Sequence, residues 1–238
     1  MSHFPVAVFH YEDQHVSDLL APYNEKITVE PYIEYTRQEA INHAKECYGY
    51  DTESWTDNEC WSFIARNYAS GMIDEEGNLY STRNPKAKWD WWKVGGRCVN
   101  ALEKYDGTYT NEGRVKDIEF HFSWDLYIKA CEYWDTHVEG VELASNKTSN
   151  GIHSYFENKE DFYRVYKNRR NFAEYKARFI PYACITPDGE WHSPGRVGWF
   201  GLSSESEIER FNWKSTFIEN FMTDVDNDLY ITIVDCHI

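Results

Sequence analysis

The sequence begins and ends on short, β-rich apolar runs, and that pairing constrains the fold more than any other feature. Phe4-Pro5-Val6-Ala7-Val8-Phe9-His10 reads as a strand, and Leu229 to Cys236 is an apolar, β-branched strand that closes the chain. Phe179 to Ile185 is a further strand. Pro187-Asp188-Gly189 follows as a tight turn, because Pro presets φ and Gly accepts a positive φ. Glu190 to Ser193 then returns as the partner of a hairpin. Ser203 or Ser204 caps a helix that offers Ile208, Phe211, Phe217, Ile218 and Phe221 to the core. Together with a short helix at Val16 to Leu20, this predicts an α+β fold with both termini in one mixed or antiparallel sheet. With residues 36–178 set aside as a largely helical insertion, the outline approximates the ferredoxin-like order β-α-β-β-α-β.

Inside the insertion the local signals are plain. Ile27, Val29, Ile33 and Tyr35 alternate with polar neighbours, so they predict a strand just ahead of it, with Pro31 at an edge or bulge. Thr36-Arg37-Gln38-Glu39 is a capping box for a helix ending near Tyr48, and a second helix fits Asp57 to Ser70. Val115 to Phe122 reads as a strand, Trp124 to Val138 as a helix, and Glu160 to Lys176 as one basic helix. No internal repeat or low-complexity linker divides the 238 residues, which predicts a single compact domain over 1–238.

The net charge of −16 would repel a nucleic-acid backbone if it were spread evenly. It is not: residues 84–97 carry +3 and residues 159–178 carry +4. A basic pocket in an acidic chain suits a small anion better than a polyanion, so direct nucleic-acid binding is disfavoured. The six cysteines form no C-x-x-C pair and no zinc-finger spacing, which predicts buried, reduced thiols in a cytoplasmic protein. No apolar run approaches the ~20 residues of a membrane span.

The basic stretch 84–97 contains Trp89, Trp91, Trp92 and the pair Gly95-Gly96, followed by Arg97. The three tryptophans cannot share one face of a helix or strand, so one belongs to the core and another is available to stack on a base. The spacing is not that of a Walker loop. The expected ligand groups are Lys88 and Arg97 for charge, Trp89 or Trp92 for stacking, and Gly95 and Gly96 for amide donation. The alternative is a Trp-packed turn with Arg97 paired to a carboxylate. Trp199, in Gly195-Arg196-Val197-Gly198-Trp199-Phe200-Gly201, is a further ligand candidate ahead of a helix N-terminus, although glycines there also serve a tight connection. Asp235 and His237 stand two apart and face one side of the last strand, as an acid–base pair, as two metal ligands, or as a capping or packing pair. If one cavity joins the two basic islands, Arg164, Lys167 or Arg170 should turn toward 84–97.

Three phrases, STRNPKAKWDWWKVGGR, ITPDGEWHSPGRVGWFG and the terminal LYITIVDCHI, resemble a group of uncharacterised bacteriophage and bacterial proteins. The resemblance spans nearly the whole chain. It departs at Ala87, where Ser is usual, and at Cys98, where Trp is usual. It implies a phage or mobile-element context and no particular chemistry or cofactor. The basic, Trp-rich stretch makes binding of an anionic, nucleotide-like small molecule the expected function, and in the implied phage context this would mean sequestering or degrading a host defence signal. The competing classes are an acidic protein that inhibits a host defence complex by mimicking nucleic acid, and a metal-dependent hydrolase using Asp235 and His237.

Overall fold

A computed structural model describes residues 3–48, 54–68, 72–141, 152, 154, 156–195 and 204–238. The fold is α+β, and it divides into two compact units, Met1–Pro22 with Lys88–Ile238, and Tyr23–Ala87.

The larger unit opens with β1 (His3–His10) and α1 (Val16–Leu20). The smaller unit then contains β2 (Thr28–Tyr35), α2 (Arg37–Cys47), α3 (Asp57–Tyr68), β3 (Met72–Ile73) and β4 (Leu79–Arg83). Its three strands pair in the order β2-β4-β3, and the register slips between Thr28 and Tyr32, around Pro31, which has no amide proton to give the ladder. The capping box forms as the sequence predicts, with Thr36 Oγ1 accepting from the Glu39 amide and the Glu39 carboxylate accepting from the Thr36 amide. Ala40, Ile41 and Ala44 of α2 pack on Cys60 and Ile64 of α3 and on Leu79.

In the larger unit the chain continues through β5 (Trp91–Val94), β6 (Leu102–Lys104), β7 (Tyr109–Thr110), β8 (Glu112–Arg114), β9 (Ile118–Phe120) and α4 (Trp124–Tyr133). Two helices follow, α5 (Lys159–Tyr166) and α6 (Arg169–Ala177), then β10 (Ala183–Ile185), β11 (Trp191–His192), α7 (Glu207–Phe221) and β12 (Tyr230–His237). The main sheet has the order β11-β10-β1-β12-β5, with β8 also on β12. The terminal strands lie side by side, antiparallel, from His3 opposite His237 to His10 opposite Tyr230. The strand order is not ferredoxin-like, however. β10, the second strand of that outline, sits directly against β1 in parallel, and the hairpin strand β11 takes the edge.

Several local readings are revised. The basic helix is two helices, because Lys167 adopts φ 69° and ends α5. α4 passes into a π-helical turn, Trp134–Val138, whose Trp134 is buried. Ser206, not Ser203 or Ser204, caps α7, because Glu209 stands three residues on and completes the capping box. In 115–122 only Ile118–Phe120 is a strand, after a 3-10 turn at Val115–Asp117.

β12 is buried along nearly its whole length because it has strands on both sides. One face of it, with Ile231 and Ile233, joins Ala7 and Phe9 of β1, and is covered by Leu102, Ile118, Phe120 and Phe217. Phe217 is fully buried and touches Phe9, Phe120 and Trp213. Phe217→Ala is expected to cost about 3–5 kcal/mol, measured by urea unfolding, because a cavity opens between sheet and helix.

Candidate functional site

Apolar residues in a central strand need no explanation, whereas buried polar ones do. β12 ends on two, Asp235 and His237, both almost fully buried. The antiparallel register sets His3 opposite His237, and β5 sets Trp91 opposite His237 and Lys93 opposite Asp235. With a period of two, these five side chains share one face of the sheet at one end. It is the same face that carries the Phe9–Ile231 core.

The histidines are each tied to a carboxylate through the same ring atom. His3 Nδ1 donates to Asp235, 3.0 Å from Oδ1 and 3.1 Å from Oδ2. His237 Nδ1 donates to Asp90 Oδ1 at 2.6 Å. Carboxylates only accept, so each Nδ1 holds the proton and each neutral ring has Nε2 as its base. Neither Nε2 has a partner among the described residues. The two rings lie 5.0 Å apart, edge to face, and Trp91 stacks on His237 at 5.4 Å and 17°. Trp91 is 42% exposed.

The Gly-Gly turn is a carboxylate cradle, and Asp235 fills it. Gly95 and Gly96 adopt φ 69° and 52°. A Cβ on Gly96 would stand 2.5 Å from Asp235, and one on Gly95 would collide with Asn111. The Arg97 amide donates to Asp235 Oδ2 at 2.9 Å. Thus glycine is required here so that the backbone can close on a buried carboxylate. Cys98 and Cys236 beside it are poor nucleophiles. Burial, reinforced by the Asp235 charge, pushes the Cys98 thiol up to about 11 and raises that of Cys236.

The structure redistributes the sequence candidates. Trp89 is core: it is buried and its Nε1 donates to the Leu20 carbonyl at 3.2 Å, so it cannot stack on a ligand. Trp92 is opposite Cys236, on the other face of β5 from Trp91. The Gly95 amide donates to the Ile233 carbonyl at 2.9 Å, so it is not available to a ligand. Gly96 serves the approach of Asp235 rather than of an external anion. Lys88 is half-buried, ahead of Trp89. Arg97 is exposed, and its guanidinium enters no ion pair among the described residues. Asp235 and His237 do share a side, but each pairs with a different residue, His3 and Asp90. Trp199 lies outside the described residues. Of the residues missed in the sequence, His3 becomes visible once the two terminal strands are put in register, and Asp90, Trp91 and Lys93 once β5 is set against β12.

The second basic island does not join this site. Arg164 pairs with Asp161, Arg169 with Asp135 and Arg170 with Glu174. The helices α5 and α6 pack on α4, on the π-helical turn and on α7. These three arginines are therefore paired with carboxylates of their own region rather than turned toward 84–97. Among the described residues, no cluster of three or more His, Cys, Asp or Glu side chains could hold a metal ion. No helix among them is long and apolar enough to cross a membrane.

No protein-family model matches the chain, and neither a curated protein nor a solved structure matches it.

Proposed function

We propose that the chain binds a phosphate-bearing, nucleotide-like small molecule at the His3–His237 end of the sheet and cleaves a phosphate ester there by paired acid–base catalysis. The observation that supports this reading is the matched pair of histidines, each oriented through Nδ1 by its own carboxylate and each with Nε2 unpartnered. One Nε2 takes the proton of the attacking hydroxyl as its oxygen forms the new P–O bond. The other imidazole, protonated, gives its proton to the leaving oxygen as the old P–O bond breaks. Asp235 and Asp90 fix the ring orientation and stabilise the imidazolium that forms, the role a carboxylate plays behind a catalytic histidine. Lys93 and Arg97 supply positive charge beside the rings, and the exposed part of Trp91 offers a surface for a base.

In the phage context that the sequence resemblance implies, the substrate we propose is a nucleotide signal of a host defence system. The net charge of −16 favours a second reading, an acidic partner for a host protein. The experiment that separates them is incubation of the purified protein with cyclic and linear dinucleotides and with bis(p-nitrophenyl) phosphate. Turnover of any of these supports the first reading. Their survival, with no nucleotide retained in a native mass spectrum, supports the second.

Arg97→Ala is expected to leave the melting temperature unchanged, since Arg97 holds Asp235 through its backbone amide and not through its side chain. It is expected to weaken ligand binding by about 1.5–3 kcal/mol, the worth of a hydrogen bond to a charged group, or roughly 10- to 100-fold in Kd. Calorimetry and a thermal melt on the same sample check both parts.

A further inference from the structure

A cleft of about 360 Å³ between α6 and α7 is lined by Asn171, Glu174, Tyr175, Arg178, Lys214 and Ser215, among others. Lys214 is the unusual group in it. A half-buried lysine normally carries its ammonium to a carboxylate or to water. Lys214 Nζ instead donates to the Tyr175 carbonyl at 2.7 Å and stands 4.5 Å from the centre of the Tyr175 ring. The charges around it do not compensate it. Lys176 and Arg210 are positive, and Arg178 lines the same cleft. The nearby carboxylates are engaged elsewhere, Glu174 by Arg170, and Glu205 and Glu207 by Arg210. Burial first, and then the charges of Lys176 and Arg210, bring the amine down to about 8. A lysine desolvated beside other cations is the arrangement that activates an amine as a nucleophile.

We propose that Lys214 is a reactive amine that captures small anionic aldehydes as imines within the α6–α7 cleft. The neutral Nζ attacks the carbonyl carbon with its lone pair, and the C–O π pair moves to oxygen, which takes a proton from nitrogen. The carbinolamine then loses its hydroxyl together with the remaining nitrogen proton as water, leaving a C=N bond. No electrons are gained or lost, so no oxidant or reductant is needed. Arg178 holds the anionic group of the aldehyde. Its guanidinium lies 5.2 Å from the centre of the Phe122 ring and enters no ion pair among the described residues. This chemistry uses none of the residues of the histidine pair and stands or falls apart from it.

The test uses pyridoxal 5′-phosphate as the aldehyde, borohydride to trap the imine, and peptide mass spectrometry to find the labelled lysine. Near neutral pH an amine at about 8 has a neutral fraction on the order of 10²-fold above that of an ordinary lysine. Lys214 is therefore expected to label at least ~10-fold faster than the exposed Lys26 and Lys93, with a rate that rises through pH 8. Lys214→Arg should remove the fast phase, and Arg178→Gln should slow it with the phosphate-bearing aldehyde but not with an uncharged one. Labelling of Lys214 in wild type no faster than of Lys26 and Lys93 would overturn the proposal, whether or not either variant folds.

Discussion

Gly96→Ala is expected to be among the most destabilising single substitutions in the chain. Residue 96 has φ 52°, and a Cβ there would stand 2.5 Å from the buried carboxylate of Asp235. The left-handed backbone costs a non-glycine residue ~1–2 kcal/mol and the overpacking another ~1–3 kcal/mol. For a chain of this size each kcal/mol is worth about 2–4 °C, so a melting temperature lower by about 4–20 °C is expected. Gly107→Ala is the control, because Gly107 also has a positive φ, 82°, but a Cβ there meets nothing within 4 Å. Its loss should be confined to the backbone strain. Equal melting temperatures for the two variants would mean that the turn does not close on Asp235.

His237→Asn should have the opposite profile, with the fold kept and the chemistry lost. The Asn amide nitrogen occupies the place of the imidazole Nδ1, so it can still donate to Asp90, while Nε2 is removed. Loss of one general acid or base is worth about 10²–10⁴-fold in turnover. His3→Asn is expected to do the same against Asp235. If the histidines only clamp the strand ends together, both variants would cleave a phosphodiester as fast as wild type and differ from it only in stability.

Much of the frame is legible in the sequence because local chemistry decides it. The terminal strands carry β-branched runs, Gly189 serves a turn at φ 84°, and Thr36 and Glu39 form their capping box. The strand order is not legible, since nothing local to Ala183–Ile185 states that it will lie parallel to β1 rather than leave that place to its hairpin partner. The break between α5 and α6 is hidden for a related reason: Lys167 has no composition signal for a left-handed turn.

The site is divided in the same way. Asp235 and His237 stand out as polar residues in an apolar strand. Their partners His3 and Asp90 lie 232 and 147 residues away and can be found only from the register. The Trp-rich stretch also illustrates the limit of composition. It holds one core residue, Trp89, one residue on the histidine face, Trp91, and one on the opposite face, Trp92, and only the register of β5 against β12 assigns them.

The central claim is that His3 and His237 act as an acid–base pair on a phosphate ester. It is tested most directly by the pH dependence of kcat/KM for a dinucleotide substrate, measured on wild type, His3→Asn and His237→Asn. An acid and a base working together predict a bell-shaped profile for wild type and a residual rate in each variant that has lost one limb of the bell. A wild-type profile without a bell, or variants that retain both limbs at full rate, would contradict it.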